Sequence, residues 1–183
     1  PLEAAGLADG APVILLGAGG AARAAAYEAA RRGHPVTIAA RRIEQAQALA
    51  QQFADVGKLK GVELNSNQLW QDCSSHGFAV IQATPLGSQH NPGNPIAHNP
   101  PPAGGVALDM VYDPARTEFL NTAEIAGCQI LPGHHMLLAQ MLRQFELGTG
   151  QRPPEAALRI ALERDLGLPC APILLVGPRA AGK

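Results

Sequence analysis

The sequence predicts an α/β fold, a doubly wound parallel sheet of about six strands, and three observations carry that prediction. Short apolar runs of strand length alternate with segments whose apolar residues recur at helical spacing. The first run, Val13-Ile14-Leu15-Leu16, breaks into Gly17-Ala18-Gly19-Gly20 and resumes as an alanine-rich helix. Loops rich in Pro, Gly and Asn punctuate the remaining runs. With 183 residues, 46% of them hydrophobic and 16% charged, the chain has enough apolar material for one domain with a sizeable core. That domain is expected over residues 1–167, with a linker and the start of something else at 168–183.

The segment before the first strand, 1–12, carries small and acidic residues and reads as the tail of something upstream. After the strand, Gly17, Gly19 and Ala22 fill the three places of the dinucleotide-binding fingerprint G-x-G-x-x-G/A of Rossmann-type domains. There the first glycine permits the turn, the second lets a pyrophosphate approach the backbone, and the third small residue lets helix and strand pack closely. The helix that follows aims its unpaired N–H groups and positive dipole end at the phosphates. Gly17, Ala18, Gly19, Gly20 and Ala21 are therefore the pyrophosphate candidates. The same string also suits a plain strand-to-helix corner.

Ala21 to Arg32 reads as the first helix, stopped by Gly33, and Val36 to Ala40 as the second strand. The end of that strand selects the dinucleotide. An Asp or Glu about 20 residues past the glycines binds the ribose 2′-hydroxyl of NAD, whereas an Arg accommodates the 2′-phosphate of NADP. Arg41 and Arg42 stand there, with no carboxylate before Glu44. A guanidinium grips phosphate with two parallel hydrogen bonds, which favours NADP. The alternative is a solvated helix start.

Ile43 to Phe53 reads as a second helix and Val62 to Leu64 as a weak third strand. Phe78 to Ala83 reads as the fourth strand, running into Thr84-Pro85-Leu86-Gly87, and Val106 to Tyr112 as the fifth. Loops at the carboxyl ends of parallel strands near the switch point bind ligands, which makes Thr84 to Gly87 a cofactor-loop candidate beside the simpler reading of a turn. Residues 88–105 form a long Pro- and Gly-rich surface loop of the kind that is functional or mobile. Its His90 and His98 are read as solvated rather than as metal ligands. Phe119 to Ala126 is a third helix and Cys128 to Leu131 a sixth strand. Met136 to Leu147 is a fourth helix whose Leu137, Met141, Leu142 and Phe145 face a core, and Glu155 to Leu166 a final amphipathic helix. Gln140 and Gln144 share a helix face. His134-His135 offers a proton shuttle near neutral pH or simply an exposed helix start.

Several classes of function are disfavoured. A net charge of −1 gives no electrostatic reason to bind nucleic acid or an anionic membrane. Cys73, Cys128 and Cys170 have no metal-ligand spacing and read as free thiols of a reducing compartment. No segment is apolar and long enough to span a bilayer and no signal-peptide pattern opens the chain, so a cytoplasmic location is expected.

Taken together, five segments resemble the NADP-binding half of the shikimate dehydrogenase family, over roughly Gly10 to Leu166. They are Gly17 to Ala21, Arg41, Ala83-Thr84-Pro85-Leu86-Gly87, Asp109-Met110-Val111-Tyr112, and Gly133-His134-His135-Met136-Leu137-Leu138-Ala139-Gln140 with Gln144-Phe145-Glu146. The resemblance implies NADPH-dependent reduction of 3-dehydroshikimate to shikimate. It further implies pyrophosphate contacts from Gly17 to Ala21, 2′-phosphate binding by Arg41 with Arg42 beside it, and a cofactor loop at Thr84, Pro85 and Leu86. Met110, Gly133 and Met136 fall on the nicotinamide side, and Tyr112 and Gln140 on the substrate side. Ala40 and Arg42 replace the family's Asn and Thr, His135 stands where many members carry glycine, and Gln82 replaces a common Asn, which reads as a mild change.

The family's catalytic Lys and Asp belong to an N-terminal substrate domain with no counterpart here, so no catalytic residue is assigned. The chain by itself is expected to bind NADP(H) and to reduce almost nothing. Pro172 to Val176 with Gly177-Pro178-Arg179-Ala180-Ala181-Gly182-Lys183 resembles the strand and P-loop that open shikimate kinase, and suggests a fusion cut at both ends. Two alternatives stand beside this reading: a nucleotide-binding module without redox chemistry, and a quinate/shikimate dehydrogenase using NAD.

Overall fold

The computed structural model describes residues 2–73 and 77–169. Cys170 and the P-loop-like string Gly177 to Lys183 lie outside the described residues. Among the described residues a 3₁₀ turn, Glu3–Ala5, precedes six strands and five helices. The strands are β1 Val13–Leu16, β2 Val36–Ala40, β3 Leu59–Glu63, β4 Ala79–Gln82, β5 Val106–Asp109 and β6 Gln129–Leu131. The helices are α1 Gly20–Arg31, α2 Ile43–Gln52, α3 Glu118–Ile125, α4 Gly133–Thr149 and α5 Glu155–Asp165. The sheet is parallel throughout in the order β3-β2-β1-β4-β5-β6, which is the Rossmann order.

Strand β1 is an unbroken apolar run because both of its faces are covered. Val13 and Leu15 face a core shared with Ala22, Ala26 and Ala30 of α1 and Ala46 and Leu49 of α2. Ile14 and Leu16 face the opposite core, with Phe119, Leu120 and Ala123 of α3 and Leu69, Phe78 and Ile96. The small side chains of α1 let that helix lie close on the sheet. The order reverses between β1 and β4, and the crevice outside their carboxyl ends is where such folds bind ligands.

The structure moves several expected boundaries. Strand β3 starts at Leu59 rather than Val62, because it is an edge strand whose only buried residue is Val62 and so lacks an apolar run. Strand β5 stops at Asp109 rather than Tyr112, because the Asp109 carboxylate accepts the Val111 N–H at 2.9 Å and turns the chain out of the sheet. Helix α4 starts at Gly133 rather than Met136, directly after Pro132, whose fixed φ suits the residue before a helix. Its core-facing residue is Leu138, while Leu137, Met141 and Leu142 are half-buried and Phe145 is 43% exposed. The long 88–105 segment is tied down: Ile96 is 1% exposed, Asn94 Nδ2 donates to Thr122 Oγ1 at 2.8 Å, and Trp70 Nε1 donates to Asn99 Oδ1 at 3.1 Å. Its His90 and His98 are exposed. No described helix is long and apolar enough to cross a membrane.

Candidate functional site

The turn after β1 begins at Gly17, whose N–H continues the sheet ladder to Ala39 O at 2.7 Å. Gly17 has a φ of +111°, and a Cβ there would lie 3.0 Å from Ala83 O and 3.1 Å from the Thr84 methyl. Only glycine takes this conformation without strain, and only glycine lets the loop after β4 press against the turn. Gly19 and Gly20 face open space, where a Cβ would meet nothing within 4 Å. Gly19 precedes α1 in extended conformation and supplies no side-chain cap, so the first N–H groups of the helix keep no intrahelical acceptor. An open, donor-rich helix start at the switch point is the arrangement that receives phosphate.

The second wall is the loop after β4. Gln82, 0% exposed, turns its side chain back along the backbone: Thr84 N–H donates to its Oε1 at 2.5 Å, and its Nε2 donates to Leu86 O at 2.7 Å. Leu86 N–H in turn meets Thr84 Oγ1 at 3.3 Å. The third wall follows β5. Asp109, also 0% exposed, accepts from Val111 N–H with Oδ1 and from the Thr117 hydroxyl with Oδ2 at 2.5 Å. Thr117 caps α3, accepting the Leu120 N–H at 3.3 Å. Burial pushes the Asp109 carboxyl up to about 6, although the Thr117 and Val111 hydrogen bonds pull the other way. Gly133 seats α4 on this wall, since a Cβ there would collide with Val111 O and lie 2.8 Å from Asp109 O.

These walls enclose an open cleft of about 550 Å³ lined by Gly19, Gly20, Ala21, Ala83, Thr84, Pro85, Met110 and Tyr112, with Val111, Asp113, Ser88, Gln89 and His90 completing it. The structure thus brings Gly19, Gly20, Ala21, Thr84, Pro85 and Met110 together with Tyr112, 44% exposed, in one cleft, while Gly17, Ala18, Leu86 and Gly133 do not line it. Met136 is not part of this lining. It lies in a neighbouring apolar cavity of about 310 Å³, which Met110 also lines. Gln140 and Gln144 are exposed on α4 and do not line the cleft. Arg41 and Arg42 are exposed at the carboxyl end of β2; the Arg42 carbonyl accepts the Gln45 N–H at 3.1 Å, and neither guanidinium has a hydrogen bond or ion pair among the described residues. Arg42 precedes α2 without capping it through its side chain. His134 is half-buried with its Nδ1 unpartnered among the described residues. Burial, then the neighbouring His135, lowers its pKa, with Glu163 opposing.

Sequence reasoning gave no role to Gln82 and Asp109. Both are polar residues ending otherwise apolar central strands, and they are register partners across β4 and β5. A buried polar residue at that point has to be hydrogen-bonded, which was the available signal.

No family model matches the chain. It is 37% identical over 159 residues to shikimate dehydrogenase (NADP(+)) of Caulobacter vibrioides, a match covering 86% of this chain and 54% of that protein. It is 36% identical over 164 residues to the protein of the same name from Carboxydothermus hydrogenoformans, covering 88% and 56%. The chain thus spans about half the length of the curated relatives it matches. Among solved structures it is similar to quinate dehydrogenase from Corynebacterium glutamicum in complex with NAD, with a TM-score of 0.74, 29% identity and 91% and 58% coverage. It is likewise similar to shikimate 5-dehydrogenase from Thermus thermophilus in complex with NADP(H) and shikimate, with a TM-score of 0.69, 31% identity and 89% and 58% coverage.

Proposed function

We propose that this chain is the NADP-binding domain of a shikimate dehydrogenase, acting in the intact protein in the NADPH-dependent reduction of 3-dehydroshikimate to shikimate. The observation that carries the reading is the pair of exposed guanidiniums, Arg41 and Arg42, at the end of β2, beside a glycine turn that opens α1 toward a cleft. The residues fit a dinucleotide: the turn leaves open space at Gly19 and Gly20, and the arginines have no competing carboxylate among the described residues. The relatives and neighbours named above support the same family.

When bound, the nicotinamide supplies the hydride. The chain's own residues bind, orient and screen. Backbone N–H groups from Gly19 to Ala21 hold the pyrophosphate, and Arg41 with Arg42 grip the 2′-phosphate. Thr84, Pro85 and Met110 wall the cleft, with Leu86 closing the loop behind them, Gly133 keeps α4 tight against the β5 wall, and Tyr112 faces the substrate. Met136 backs the nicotinamide side from the neighbouring cavity, and Gln140 reaches substrate from α4. Groups that transfer the proton come from the substrate domain that the relatives' extra length accommodates. The expected location is cytoplasmic, and Gly177 to Lys183 is read as the opening of a kinase P-loop. The residue encoded after Lys183 tests that last point, Ser or Thr supporting it and any other residue overturning it.

Calorimetric titration of the chain with NADP and with NAD tests the cofactor. NADP is expected to bind about tenfold or more tighter, the equivalent of one or two charge-assisted hydrogen bonds. Arg41→Ala is expected to remove the difference. A folded chain that binds neither dinucleotide overturns the reading. One observation favours a second reading, an NAD-dependent quinate dehydrogenase: the structural likeness to such an enzyme. NAD binding as tight as NADP, with quinate oxidised by the intact protein, selects it.

A further inference from the structure

We propose that Gln82 is a positioning residue for the dinucleotide: without touching the ligand, it fixes the β4 wall of the cleft against the glycine turn, where the wall meets the parts that NADP and NAD have in common. The inference rests on the dinucleotide reading above and deepens it.

Gln82 ends β4, the strand beside β1 at the switch point, and its Cα is in register with Leu16, the last residue before the glycine turn. A fully buried primary amide at the end of a central strand costs free energy unless both its ends are satisfied. Here both are satisfied by the loop that follows. The Oε1 takes the Thr84 N–H, the Nε2 gives to Leu86 O, and only one orientation of the amide serves both. The side chain therefore acts as a template on which residues 83–86 are folded. The same loop also places Ala83 O and the Thr84 methyl against the backbone of Gly17, close enough that a single added carbon there would crowd them. The β1 turn and the β4 loop thus interlock, and Gln82 sets the height of one partner. Thr84 and Pro85 line the cleft and Gln82 does not. Removing its amide leaves a donor and an acceptor free to pull the loop toward other partners.

This assignment separates Gln82 from Arg41. The arginine acts on the 2′-phosphate, which only one dinucleotide carries. The glutamine acts on a wall that meets the parts both dinucleotides share.

The test uses Gln82→Met, which keeps length and volume but removes both hydrogen bonds, with Gln82→Leu as a second apolar replacement should the first not fold. Amide hydrogen exchange of the ligand-free chain and calorimetry with NADP and NAD are run at a temperature where each protein is fully folded. The expected result is a loss of Thr84 amide protection of about tenfold or more, with β1 and β4 amides unchanged, the size of one hydrogen bond lost. Affinity for both dinucleotides is expected to fall by about the same factor, leaving the NADP-to-NAD ratio as in the wild type, whereas Arg41→Ala changes the ratio. Unchanged Thr84 protection overturns the proposal. So does a loosened loop with affinities within twofold of wild type, or a fall confined to NADP. If the wild-type chain binds neither dinucleotide, the cofactor reading fails and the exchange arm still decides whether Gln82 templates the loop.

Discussion

At the carboxyl end of β2 the two guanidiniums stand in solvent with no partner among the described residues, whereas at the β4 and β5 walls of the cleft the polar side chains are buried and hydrogen-bonded within the chain, Gln82 to backbone and Asp109 to backbone and the Thr117 hydroxyl. Arg41 and Arg42 are exposed, while Gln82 and Asp109 are 0% exposed. On the proposed reading the two regions divide the work of a binding site. Exposed guanidiniums are left to a ligand and contribute little to folding, because the folded and unfolded chains hydrate them alike. Buried amides and carboxylates shape the walls, and their loss is felt first as altered structure. A substitution at one end is therefore expected to move affinity with stability constant, and at the other to move both.

The strongest break of that contrast is Gly133→Ala, which has no polar group to lose. The added carbon would collide with Val111 O and crowd Asp109 O, so α4 has to shift off the β5 loop. Overpacking of this kind against backbone is expected to cost about 3 kcal/mol. Urea unfolding checks it, and a cost below about 1 kcal/mol would mean that α4 is seated less tightly on the loop than this geometry requires.

Asp109 comes next. Its folded carboxyl is raised to about 6 by burial, against an ordinary value of 3.8. Between those values the folded chain holds a proton that the unfolded chain has released, so this group makes stability fall as pH rises from about 4 to about 6, and adds no slope above that. A shift of about two units amounts to about 3 kcal/mol across the window. Glu28 and Asp72, whose carboxyls are lowered by Arg31 and Lys60 respectively, act in the opposite sense and at lower pH. The comparison to make is therefore wild type against Asp109→Asn. Asparagine keeps the shape and an acceptor for Val111 N–H, and its unfolding free energy is expected to lack the decline between pH 4 and 6. Parallel curves for the two proteins would show that the carboxyl titrates normally.

The same contrast explains what was legible in the sequence. The central strands announced themselves because covering both faces leaves no polar positions, and the glycine turn because its backbone demands are local. The exposed placement of Arg41 and Arg42 after β2 was legible because charged side chains that follow a buried strand stay in solvent. Gln82 and Asp109 were not, because their meaning lies in where the following loop returns to meet them, and that is set by tertiary contacts. Edge strand β3 was misplaced for a related reason: with one buried residue, Val62, and Gly61 pressed against the α2 backbone, it carries no period-two pattern over Leu59–Glu63. The apolar residues of α4 overstated its burial, since only Gly133 and Leu138 of that helix are buried.

The smallest expected effect on stability is that of Arg42→Ala, and it sharpens the contrast most. Arg42 lies in extended backbone before α2, makes no side-chain cap bond, and has no ion-pair partner among the described residues. Removing its side chain deletes no internal interaction, so the unfolding free energy is expected to stay within about 0.5 kcal/mol of wild type. Affinity for NADP is expected to fall severalfold, less than for Arg41→Ala, and the loss is expected to shrink as salt is raised, because an exposed cation acts on phosphate through screened charge. NAD binding is expected to change little, since it lacks the 2′-phosphate. Calorimetry at two salt concentrations, beside urea unfolding, separates the outcomes. Lost stability with unchanged affinity would place Arg42 among the residues that build the fold, and the division of labour between the exposed end of β2 and the buried walls of the cleft would then fail at its exposed side.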